Sequence, residues 1–179
     1  MLPVFILTAL YKLAKKNYNF KKDNMKKCII FTFLLLFTSK FYSQVYDNEY
    51  MTEENRSKLL NELFKISDLE IDKTKVLIIN FYIKPEIEPN GTCIDYYTND
   101  FAYIRFIKKS KNIVQFFIVE KSYNYEGRNV LEDMNGVVKK LLFDKALQCG
   151  NYAIIKPNGN LIRKYGEYNQ NLIPKLVTK

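Results

Sequence analysis

The chain contains no histidine and no tryptophan in 179 residues. Without imidazole there is no histidine general base, no Ser-His-Asp or Cys-His nucleophile pair, and no metal site built on histidine. Cysteine is scarce as well. Cys28, Cys93 and Cys149 are too few for a four-thiolate zinc site or an ordinary iron–sulfur cluster. With six glycines and five prolines there is no low-complexity tract, and no internal repeat is visible. No cofactor and no metal are expected from this composition.

Apolar residues make up 47% of the chain, enough for a packed core and too many for a disordered polypeptide. The net charge of +9 is unevenly spread. Residues 1–43 hold Lys12, Lys15, Lys16, Lys21, Lys22, Lys26, Lys27 and Lys40 against Asp23 alone, so the remainder is close to balanced. A phosphate footprint needs a clustered basic face, which the sequence does not show, so nucleic acid is not an expected partner.

That basic leader has an internal order. Met25-Lys-Lys is followed by the apolar run Cys28–Phe37 and a polar stretch to Gln44. These are the basic, apolar and polar parts of a secretory signal, and the run is too short to span a bilayer, which takes about 20 residues. The expected organisation is an upstream extension at 1–24, translation starting at Met25, a signal peptide at 25–43, an N-terminal helical segment at 44–74 and the main domain at 75–179. The protein is expected to be exported, periplasmic or extracellular, and to meet a membrane only through the signal segment. Cys28 begins the apolar run, whereas a lipoprotein cysteine follows it, so no lipid anchor is assigned.

In the body, Leu59, Leu60, Leu63, Phe64 and Ile66 recur at helical spacing, with Thr52 or Glu53 as the start. Val76–Ile83 and Ile113–Val119 read as strands covered on both faces, because they are continuous apolar runs rich in β-branched and aromatic residues. Between them, Pro85, Pro89, Asn90 and Gly91 predict a loop. Asn99 or Asp100 then caps a helix to Lys109 with Phe101 and Ile104 inward. A glycine-bearing loop spans Ser122–Gly127. Val137, Val138, Leu141 and Leu142 mark a helix from about Asn135 to Lys145, although Asn129 and Glu132 offer an earlier capping-box start. Tyr152–Ile155 and Leu161–Tyr165 flank Pro157-Asn-Gly-Asn160, a hairpin signal in which Gly159 takes positive φ. A last segment to Val177 tolerates Pro174 only in its first turn.

Buried strands alternating with helices imply parallel pairs, and the closing hairpin adds antiparallel ones. This order, the run Val76–Tyr82, and the stretch Cys149-Gly-Asn-Tyr-Ala-Ile-Ile-Lys-Pro-Asn-Gly159-Asn-Leu-Ile resemble the thioredoxin-like family of periplasmic and secreted type over residues 75–177. The resemblance implies an α/β fold: a three-layer sandwich with a mixed four-stranded sheet and flanking helices, preceded by an N-terminal helix. It also marks departures. The family's chemistry uses Cys-x-x-Cys opening a helix, where the thiol pKa is lowered. Here Cys93-Ile-Asp-Tyr96 has one thiol, Thr92 replaces the usual tryptophan, and Gly150 stands at the cis-proline position. Ordinary dithiol catalysis is therefore not expected.

In the fold that the resemblance implies, the loops of Cys93 and Cys149 face one another. Three outcomes remain open: a structural disulfide, a redox-active bridge, or two separate thiols. Three functions correspond: an exported protein of unknown substrate with a binding or structural role toward a protein or peptide, an atypical thiol–disulfide oxidoreductase using Cys93 and Cys149, or a small sugar- or peptide-binding module. Tyr96, Tyr97, Tyr103, Tyr123 and Tyr125 are the candidate aromatic anchors for the third. Glu86, Glu88 and Asp95 lack calcium-loop spacing and read as a solvated loop. Asn90-Gly-Thr92 is a glycosylation sequon by pattern.

Overall fold

The computed structural model describes residues 46–86, 93–127 and 129–178. They belong to one compact unit, Val45–Lys179. The expected leader, together with Glu88 and Asn90–Thr92, lies outside the described residues.

The elements in chain order are β1 (Asp47–Tyr50), α1 (Glu53–Ser67), β2 (Val76–Tyr82), α2 (Cys93–Thr98), α3 (Phe101–Lys109), β3 (Ile113–Glu120), β4 (Val130–Asp133), α4 (Val137–Leu142), β5 (Asn151–Ile155), β6 (Asn160–Tyr165), a 3-10 turn (Gln170–Leu172) and α5 (Ile173–Val177). The sheet order is β1-β6-β5-β2-β3-β4. The central strand β2 runs parallel to β3 (Ile79 opposite Phe116) and antiparallel to β5 (Ile79 opposite Ala153). The pairs β5–β6 and β1–β6 are antiparallel, and β3–β4 is parallel.

The four strands β6-β5-β2-β3 form the mixed sheet expected of a thioredoxin-like fold. Two edge strands make six instead of four. Neither edge has a readable sequence signal: each is four residues long, and β1 is mostly exposed. Burial on one face only, over so short a length, leaves almost no periodicity to detect.

Strand alternation sorts the core into two layers. Leu77, Ile79 and Phe81 of β2 face Leu59 and Leu63 of α1 and Val138 and Leu142 of α4, with Phe81 stacked on Phe143 at 4.9 Å between ring centroids. Ile78 and Tyr82 face Ile94 and Tyr97 of α2, Tyr103 of α3, Tyr168, and Ile173 of α5. Both faces of β2 are thus covered, which is why its sequence is apolar without alternation.

The helix boundaries show what local chemistry fixes. Thr52 caps α1 by accepting from the Asn55 amide at 3.3 Å. Asp100, and not Asn99, caps α3, accepting from the amides of Ala102 and Tyr103 at 3.0 and 3.1 Å. The inward face of α3 differs from expectation. Phe101 is 81% exposed and Tyr103 is buried, with Tyr103 packed in the layer of Ile78 and Tyr82. The helix α4 is shorter than the expected Asn135–Lys145. Asn129 and Glu132 do not start it, since Glu132 lies in β4. Asp133 accepts from the Val138 and Lys139 amides at 3.2 and 2.8 Å and fixes the start. Pro174 sits in the first turn of α5. Gly159 takes φ +85 in the β5–β6 turn, with the Tyr50 ring packed against it.

Candidate functional site

Cys93 is the first residue of α2, a helix that did not stand out between the prolines and Asp100. Cys149 lies in the loop between α4 and β5. The fold brings them together: a disulfide joins Cys93 to Cys149 with Cα atoms 5.3 Å apart across a sequence separation of 56. Of the three outcomes left open by the sequence, the structure shows a bridge. The separation lies within the range a disulfide spans without backbone movement. Both cysteines are partly exposed.

Each end of the bridge has its own support. On the α2 side, Ile94 and Tyr97 are buried. The Tyr97 ring stacks on Tyr168 at 4.4 Å. The Tyr97 hydroxyl donates to the Tyr168 carbonyl at 3.3 Å and accepts from the Tyr168 amide at 3.2 Å. The Tyr125 hydroxyl donates to the Asp95 carboxylate at 2.5 Å.

On the other side, Cys149 and Gly150 both take positive φ, +60 and +113. For a residue with a side chain this is an uncommon conformation. Gly150 is also crowded: a Cβ there would come within 3.1 Å of ring carbons of both Tyr97 and Tyr168. Glycine, and not a cis-proline, stands at that place, and no cis peptide bond occurs among the described residues.

Asn151, fully buried at the start of β5, brackets the same loop. Its carbonyl oxygen accepts from the Leu147 amide at 2.9 Å and the Gly166 amide at 3.1 Å. Its NH₂ group donates to the Leu147 carbonyl at 2.8 Å and the Phe81 carbonyl at 3.1 Å. Two donors and two lone pairs are all used. Sequence reasoning missed this residue. Its only signal is a polar side chain opening an otherwise apolar strand.

Beneath the bridge the sheet face is polar in an organised way. Asn80 on β2 donates to the Tyr168 hydroxyl and accepts from the Gln115 amide, and the Tyr103 hydroxyl donates to Gln115. Burial pushes the phenols of Tyr82, Tyr97, Tyr103, Tyr152 and Tyr168 above their ordinary range, because the charged form would lose its hydration. These phenols are neutral and not anionic bases at neutral pH.

The expected aromatic platform is not assembled. Tyr96 is 76% exposed, but Tyr97, Tyr103 and Tyr123 are buried and Tyr125 is half-buried. Tyr97 on α2, Tyr103 on α3 and Tyr123 in the loop after β3 join the layer packed on Ile78 and Tyr82. Glu86 is exposed as expected of a solvated loop, whereas Asp95, also exposed, lies in the first turn of α2 and not in a loop. Among the described residues no group of three or more Cys, Asp, Glu or His side chains is placed to hold a metal ion, and no helix is long and apolar enough to cross a membrane.

No protein-family model matches the chain, and no curated protein sequence does. Among solved structures it is similar to the exposed lipoprotein thioredoxin Etrx1 of Streptococcus pneumoniae strain TIGR4, at 14% identity and a TM-score of 0.43 over 59% of this chain and 85% of that one. It is also similar to MTB DsbF, determined in mixed oxidised and reduced forms, at 14% identity and a TM-score of 0.41 over 59% and 80%.

Proposed function

We propose that this is an exported thioredoxin-like protein that binds a protein or peptide partner, with the Cys93–Cys149 bridge as a structural clamp and not as a turnover centre. The observation that carries the reading is the partnering of Cys93. The position three residues on, where a second thiol would complete the redox pair, is the exposed ring of Tyr96. The thiol instead bonds to a loop 56 residues away. Both ends of that bond are independently packed, so the bridge adds rigidity where the two loops meet. Export is supported by the three-part leader at 25–43 and by the bridge itself, since disulfides persist in oxidising compartments.

One observation favours the oxidoreductase reading: both cysteines are partly exposed. An external thiolate would bond to one sulfur while the S–S bond breaks and the other sulfur leaves as a thiolate. A second external thiol would then release the first as a disulfide and reduce the protein.

Insulin reduction driven by dithiothreitol separates the two. The clamp reading expects no rate above the uncatalysed background, together with a melting temperature that falls on reduction. A catalysed rate abolished by Cys93→Ser overturns the clamp in favour of the oxidoreductase.

A further inference from the structure

We propose that Asn151 is a positioning residue for the Cys93–Cys149 bridge: it holds the Leu147–Gly150 loop in its bridging conformation whether or not the disulfide is present. The inference rests on the bridge described above and goes beyond the clamp reading by assigning what sets the bridge's redox stability.

The loop needs such a holder. Two successive residues, Cys149 and Gly150, take positive φ. Leu147 is 56% exposed, so hydrophobic burial does not secure the segment. The buried amide of Asn151 ties the amide and carbonyl of Leu147 to two fixed points, the Phe81 carbonyl on β2 and the Gly166 amide after β6. Phe81 and Asn151 are also opposite each other in the β2–β5 register, so the bracket is anchored in the centre of the sheet. The partner sulfur is held separately by the buried Ile94 and Tyr97. Two thiols pre-placed in this way have a high effective concentration for one another.

The sign follows from linkage. In the bridged protein the bond pins the loop, so removing the Asn151 hydrogen bonds leaves it in the same conformation with unpaired groups. In the reduced protein the loop relaxes away once those bonds are gone. Loss of Asn151 therefore costs the bridged form more than the reduced form, and the bridge weakens. A purely structural asparagine would affect both forms alike.

The test equilibrates the full chain with glutathione. The two protein thiols give up two electrons and two protons as one oxidised glutathione becomes two reduced ones. The bridged fraction is read by thiol alkylation and mass spectrometry. Asn151→Ser, which removes both amide donors, is expected to lower the bridge-formation constant at least tenfold, about 30 mV for this two-electron couple. A decrease smaller than tenfold overturns the inference.

Should that variant fail to fold, amide exchange on the wild-type chain decides. The Leu147 and Gly166 amides are expected to stay protected after full reduction. Free exchange at both on reduction would show that the disulfide, and not Asn151, holds the loop. Two free thiols in oxidised wild-type protein would remove the bridge itself, an outcome distinct from either.

Discussion

The two faces of the sheet solve the same packing problem with different materials. One face is apolar and mostly aliphatic, with Phe81, Phe116 and Phe143 among its side chains. Leu59, Leu63, Leu77, Ile79, Val138 and Leu142 are fully buried there and need nothing but shape. The other carries Tyr82, Tyr97, Tyr103, Tyr152 and Tyr168, with Asn80 and Gln115 between the rings, and the disulfide at its rim. Aliphatic burial is non-directional and tolerates repacking. A buried phenol is costly without a partner, so the hydrogen bonds of Tyr97, Tyr103 and Tyr168 make this face costly to disturb in part. The lesson is a division of labour: one face supplies most of the aliphatic burial, and the other holds the Cys93 helix through Tyr97 and Tyr168.

The largest expected effect breaks the aliphatic face. Val138→Asp sets an unpaired carboxylate in a site with no exposure, and should cost about 4 kcal/mol or more, by the mechanism of an uncompensated buried charge. Urea unfolding measures it. Leu141→Asp, half-buried on the same helix, should cost clearly less. Equal losses would show that α4 presents a different face.

Next comes the rim of the tyrosine face. A closed loop of 56 residues is worth about 4 kcal/mol in the chain-entropy model. Cys93→Ser, Cys149→Ser and the double variant should lower the melting temperature by similar amounts, because each removes one bond. A double variant much worse than either single one would mean that the thiols contribute separately.

A smaller effect distinguishes the faces by pH. The buried phenols have raised pKa values, first of all by desolvation. The folded protein therefore keeps their protons at a pH where the unfolded chain loses them. Their contribution is fully present below pH 10 and is lost as pH rises. Each such phenol adds a slope of about 1.4 kcal/mol per pH unit above that point. Tyr103→Phe should remove one such slope in alkaline urea titrations. At neutral pH it should cost about 1 kcal/mol for the donor that Gln115 loses. An unchanged alkaline slope would place Tyr103 in contact with water.

The smallest effect tests Asp133, buried beside Glu62 toward the aliphatic side. Burial raises the Asp133 carboxyl, opposed by its hydrogen bonds from the Lys139 and Val138 amides and reinforced by Glu62. A raised folded value means that the stability is fully present below the ordinary value of 3.8 and is lost as pH rises through the folded value. The stability of wild type relative to Asp133→Asn should therefore decline as pH is raised from about 3.8. A difference that grows with pH would show that the cap hydrogen bonds outweigh burial.

The sequence by itself determined the parts whose signal is local. The continuous apolar runs of β2 and β3 announced strands buried on both faces. Thr52 and Asp100 offered caps, and Asn158-Gly159 specified a tight turn whose positive φ only a short-range choice of residue can satisfy. The resemblance to thioredoxin-like proteins rested on the order of these pieces. Tertiary structure decided what no local pattern encodes. The edge strands β1 and β4 exist because neighbouring strands offer unpaired backbone groups, not because their own four residues favour extension. Tyr97, Tyr103 and Tyr123 read as surface rings and are core, because which side of a short helix or a loop turns inward depends on what it docks against. Cys93 and Cys149 were candidates in the sequence, but their bond depends on the chain between them, a separation of 56, folding back to the same sheet end. Asn151 shows why that closure is invisible in one dimension: its four hydrogen bonds reach residues 147, 166 and 81, and only a folded chain places them around one side chain.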